Sequence, residues 1–101
     1  MSIDKDLSIT DLVERLELHE RGWCILDHWE ADLCAIGISN SPSGDRIVYV
    51  STFDQKAGRY NCECEKRNMQ SSLGYETVYE GRNLTFDELV AVLARHLDNG
   101  S

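Results

Sequence analysis

Two segments with the period of an α-helix bracket a middle stretch in which apolar residues recur at every second position, an order that restricts the chain to a few α+β arrangements. The first helical segment runs from about Ile9 to His19. Ile9, Leu12, Val13 and Leu16 fall on one face, Ser8 is the expected N-cap and Gly22 the expected stop. The last segment opens on Thr85-Phe86-Asp87-Glu88, a capping box in which Thr85 and Glu88 satisfy each other's backbone N–H groups. Behind it Phe86, Leu89, Val90, Leu93 and Leu97 make the apolar stripe, and Arg95 and His96 suit the negative end of the helix dipole.

Between the helices, five period-two runs are expected as strands: Trp23 to Leu26, Leu33 to Ser39, Arg46 to Phe53, Arg59 to Glu65 and Tyr75 to Glu80. Loops rich in Ser, Gly, Asn and Asp separate them, including Ser39 to Asp45 and Asp54 to Gly58. Short loops favour antiparallel neighbours, and two amphipathic helices need one sheet face to cover. The chain of 101 residues thus reads as one α+β domain, residues 1–101, an antiparallel β-meander of about five strands with both terminal helices on one face.

Alternation assigns the covered face to Cys34, Ile36, Ile38, Val48, Val50, Tyr60, Cys62, Cys64 and Val78. The other face then carries Ala35, Gly37, Ser39, Ile47, Tyr49, Ser51 and Phe53. It continues through Arg59, Asn61, Glu63 and Glu65 to Tyr75, Thr77 and Tyr79. That second face is semi-polar and aromatic, and is read as either solvated or a binding surface.

Eighteen acidic residues against ten Lys and Arg give a formal net charge of −8. Such a field repels phosphate backbones and anionic membranes and speeds encounter with a basic partner. No glycine-rich phosphate loop occurs, no apolar run reaches the length of a membrane span, and the N-terminus lacks the pattern of a signal peptide. The expectation is a cytoplasmic protein that binds neither nucleic acid nor membrane.

The residues with the look of chemistry are Cys24, Cys34, Cys62 and Cys64 with His28. A single C-x-C is a poor match to zinc knuckles, and strand alternation turns Cys62 and Cys64 together toward the covered face, so buried thiols are expected. Asp27, His28, Glu30 and Asp32 lie close in sequence, but alternation divides them and no nucleophile is paired with His28. No catalytic residue, metal or cofactor is assigned, and an enzyme is not expected. The candidate partner-binding residues are Asp27, Trp29, Glu30 and Asp32 in the acidic turn, with Tyr49, Phe53, Glu63, Glu65, Tyr75 and Tyr79 on the second face. Aromatic residues beside carboxylates suit a protein interface with a basic partner.

The stretches Trp29 to Ile38, Val48 to Phe53 and Tyr60 to Glu65 resemble the small acidic immunity proteins of bacterial polymorphic-toxin systems. The resemblance covers about the middle third of the chain and is one of style, so it carries over no individual residue. It implies an inhibitor that binds and blocks a cognate toxin, commonly a basic nuclease. Two other classes compete: a small metal-binding or enzymatic domain built on the Cys/His group, and an acidic DNA mimic.

Overall fold

The computed structural model describes residues 5–26, 32–72 and 74–98. The first helix, α1, spans Leu7–Leu16 and buries Ile9, Leu12 and Leu16 completely. It starts earlier than the apolar spacing suggests, because Asp6 and not Ser8 is the N-cap. The Asp6 carboxylate accepts from both the Ser8 N–H (3.0 Å) and the Ser8 hydroxyl (2.6 Å). Glu17 takes a left-handed conformation (φ 50°) and breaks the helix, and the single turn α2 (Leu18–Arg21) ends at Gly22, also left-handed.

Five strands follow: β1 (Cys24–Ile25), β2 (Ala35–Ser39), β3 (Arg46–Ser51), β4 (Tyr60–Arg67) and β5 (Tyr75–Leu84). They pair in sequence order, all antiparallel, as the short loops require. The last helix, α3 (Phe86–Asp98), begins on the expected capping box. The Thr85 N–H donates to the Glu88 carboxylate (2.8 Å) and the Glu88 N–H to the Thr85 hydroxyl (3.2 Å).

One apolar cluster joins the helices to the sheet. Ile9, Leu12 and Leu16 of α1 and Leu89, Val92, Leu93 and Leu97 of α3 meet Ile36, Ile38, Val48, Val50, Cys62 and Cys64. The Arg15 guanidinium lies 3.9 Å from the centre of the Phe86 ring, which ties α1 to α3 along their flanks. Trp23 is buried in the same cluster, and its indole N–H donates to Asp98 (2.8 Å), tying the entry to β1 to the last residue of α3.

Two register shifts in the β4–β5 pair alter the faces. Asn83, with φ 55°, occupies the extra position near Tyr60, and its N–H is taken by the Asn61 side chain (3.1 Å). The second shift adds a residue between Thr77 and Tyr79. Tyr79 therefore pairs with Cys64 and stands on the helix-covered side, not on the second face where alternation puts it. Val78, expected in the core, is 48% exposed at this bulge.

The second face is itself partly covered. Ala35, Ser39, Ile47 and Ser51 are buried. The β2–β3 loop closes over one end of it through Gly44, whose carbonyl accepts from the Tyr75 hydroxyl (3.0 Å). Gly44 has φ 73°, and a Cβ there would stand 2.5 Å from a Leu26 methyl and 3.0 Å from the Tyr75 hydroxyl. Gly44→Ala combines a disfavoured backbone conformation with a steric clash, and is expected to cost about 2 kcal/mol in urea unfolding. A variant as stable as the parent would show that this loop rearranges freely.

Candidate functional site

The strand register sets Gly37, Tyr49, Glu63 and Glu80 side by side in one row across β2, β3, β4 and β5 on the second face. A neighbouring row holds Ala35, Ser51 and Asn61. Beyond the end of β3 stands Phe53, 70% exposed. Its N–H donates to the Ser51 hydroxyl (3.1 Å), which fixes the turn that leaves the strand. Tyr49, Phe53, Glu63, Glu80 and Arg82 line a shallow recess of about 190 Å³.

Within that row Glu63 and Glu80 are directly opposite each other, so two carboxylates share a cross-strand position. Like charges so placed repel. Arg82 shares the recess, but among the described residues neither carboxylate forms an ion pair. Tyr49 is tied down from the other side: its hydroxyl donates to Asp32 (3.1 Å). Partial burial, and then the charge of Asp32, push its phenol above the ordinary range, with Glu63 adding to the effect. Tyr49 is thus a neutral donor.

Asp32 has a structural role as well. Its carboxylate also accepts from the Cys34 N–H (3.1 Å), and its carbonyl from the Lys5 ammonium (2.7 Å). Glu65 follows Glu63 on the same side, opposite Ile47 and Thr77. Tyr75 lies at the far end, occupied by its bond to Gly44 and by the Arg67 guanidinium 5.6 Å from its ring. Tyr79 is on the other side of the sheet. Asp27, Trp29 and Glu30 lie outside the described residues. The structure therefore gathers Tyr49, Phe53 and Glu63 at the recess, links Asp32 to them through Tyr49, and leaves Tyr75 and Tyr79 elsewhere.

Periodicity in the sequence does not point to Glu80 or Arg82. Simple alternation sends Glu80 to the covered face with Val78, and only the bulge returns it to the second face. A carboxylate assigned to an apolar face was the available signal, since buried charge is costly.

A larger groove of about 600 Å³ runs between the start of α1 and the β3–β4 loop. Asp6, Asp11, Glu14 and Asp54 line it together with Arg15, Lys56 and Arg59, so it presents no single sign of charge. Phe53 borders both depressions and stands as a ridge between them.

All four cysteines are free thiols, and Cys62 and Cys64 are buried. The neighbouring Cys62 thiol and burial both push the Cys64 thiol up, so it stays protonated in the core. Among the described residues no three His, Cys, Asp or Glu side chains gather as metal ligands, and His28 lies outside them. No helix among the described residues is long and apolar enough to cross a membrane.

His96, expected at the helix terminus for its charge, is instead 7% exposed under α3, with Nε2 2.8 Å from the Glu65 carbonyl. A carbonyl partner requires the proton on Nε2. Burial lowers the affinity of the ring for a second proton, and the nearby Arg46 charge lowers it further. In the unfolded chain the ring takes that proton near its ordinary value of 6.5, so the unfolded state binds more protons below this point. Stability is therefore expected to fall as the pH drops below about 6.5 and through the folded-state pKa. Melting curves of the parent and His96→Gln between neutral and mildly acidic pH test this. The parent should lose melting temperature faster, and parallel slopes would remove His96 as the cause.

Fold and site define an α+β protein with one sheet face sealed by helices and the other carrying an acidic, aromatic recess. Comparison with known protein families, with characterised proteins and with solved structures finds no match.

Proposed function

We propose that this chain is a binding protein that captures a basic protein partner, as an immunity-type inhibitor captures its toxin, through the second sheet face around Phe53, Tyr49, Glu63 and Glu80. The opposed Glu63–Glu80 pair carries the reading. Two carboxylates set against one another weaken the free protein and become favourable only when a cation is placed between them. A lysine or arginine of a partner supplies that cation. Phe53 offers the exposed aromatic anchor around which interface energy concentrates, and Tyr49 adds a rigid polar neighbour. The charge of −8 steers a basic surface toward this face. The four free thiols suit a reducing compartment, and the cytoplasm is the setting we infer.

An exposed phenylalanine beside the carboxylates favours a protein surface over simple imitation of DNA, which has no use for an apolar anchor. The deciding experiment is co-expression with the product of a neighbouring toxin gene. The expected outcome is survival of the cells and a one-to-one complex on size exclusion. Cells that die, with no complex formed, would overturn the proposal.

A further inference from the structure

A third depression, of about 210 Å³, opens between α3 and the sheet on the side away from the Glu63–Glu80 recess. Arg46 from β3, Cys64 from β4, Val78 and Tyr79 from β5, and Val92, Arg95 and His96 from α3 line it. The α1 groove and the Glu63–Glu80 recess each mix carboxylates with cations, whereas no carboxylate lines this one. In a chain with eighteen acids and ten Lys and Arg, a concave surface with two guanidiniums and no acid runs against the composition. Among the described residues neither Arg46 nor Arg95 forms an ion pair.

The two arginines come from different elements. Arg95 sits in the last turns of α3, where any cation offsets the helix dipole. That account does not reach Arg46, which opens β3 across from Lys66 and is brought to the same recess by the sheet. Guanidinium groups present planar forks of N–H donors suited to oxoanions. The Tyr79 hydroxyl supplies a further donor from a third element. Two guanidiniums and a phenol brought to one recess by three elements suit an oxoanion with several acceptor oxygens. The volume falls short of the roughly 300–1,000 Å³ of ordinary small-molecule pockets, so the occupant is small.

We propose that the recess framed by Arg46, Arg95, Tyr79 and His96 is a binding site for a small phosphate group, either the free ion or a compact monoester. This site is separate from the proposed partner-binding face and does not depend on it. His96 shares the lining of this recess with Arg46, Arg95, Cys64 and Tyr79, and its Nε2 is held by the Glu65 carbonyl. The ring therefore reports directly on an anion placed among them.

Inorganic phosphate and glycerol 3-phosphate would be titrated separately into the intact protein at constant ionic strength, following the His96 ring signals by NMR. Acetate and chloride serve as controls. Saturable shifts with either phosphate, and weaker ones with acetate, are expected. The tighter of the two phosphates identifies whether the free ion or the monoester is preferred. Arg46→Gln with Arg95→Gln should weaken binding by about tenfold or more, the effect of losing charge-assisted hydrogen bonds. The proposal is overturned if no shift saturates, if acetate or chloride reproduces it, or if it survives the double substitution. The parent titration decides the matter even if the doubly substituted chain does not fold.

Discussion

Leu93→Ala should destabilise the protein by about 2–5 kcal/mol, a large share of the roughly 5–15 kcal/mol that holds a domain of this kind together. Leu93 has no exposure to solvent and lies at the centre of the α3 stripe, within the cluster that binds both helices to the sheet. Truncation removes the transfer energy of the lost carbons and leaves a cavity that close-packed strands cannot collapse to fill. The melting temperature should fall by roughly 10–40 °C. Val78→Ala is the contrast: although alternation assigns Val78 to the same face, it is 48% exposed, and truncation should cost no more than about 0.5 kcal/mol. Equal losses at the two positions would contradict the placement of the β5 bulge.

Leu93 and Val78 mark what periodicity can and cannot reveal. Leu93 belongs to a helical stripe, and the capping box at Thr85 and Glu88 sets its phase from local chemistry alone. The strands β2 to β4 are equally readable, because apolar residues alternate within each: Ile36 and Ile38, Val48 and Val50, then Tyr60, Cys62 and Cys64. In β5 the period fails. A bulge adds one residue and exchanges the faces of everything beyond it, and no local residue type announces the one at Val78. Asn83 is different, since a left-handed backbone is a conformation that asparagine tolerates. The start of α1 was misplaced for another reason. Asp6 and Ser8 are both competent caps, and the choice is settled by geometry in which Ser8 is itself held by Asp6 and reaches the Thr52 hydroxyl (2.7 Å).

The candidate site divides along the same line. Tyr49, Glu63 and Phe53 lie in or next to strands whose register is unambiguous, and they meet as expected. Tyr79 and Glu80 follow the bulge, so the aromatic residue leaves the second face and the carboxylate joins it. Tyr75 keeps its face but is committed to Gly44, a tertiary contact across 31 residues that no pattern in the sequence encodes. His96 was assigned to the dipole, yet burial and a backbone carbonyl decide its chemistry.

Glu80→Lys separates stability from function in opposite directions. In the free protein the substitution turns the repulsive Glu63–Glu80 pair into an attractive one, and should raise stability by about 0.2–1 kcal/mol. Neither side chain is needed for packing, since Glu80 is exposed and Glu63 only half-buried. For the partner, the same change removes one of the two charges that would receive its cation and puts a like charge in the way. Unpairing a charge inside an interface costs about 2–5 kcal/mol, so binding should weaken by about thirtyfold or more. Chemical denaturation and a binding titration on one preparation read both effects. If Glu80→Lys binds the proposed basic partner as tightly as the parent, this face is not the interface. If it binds poorly but is also destabilised, the Glu63–Glu80 pair is a structural element rather than a receptor for charge.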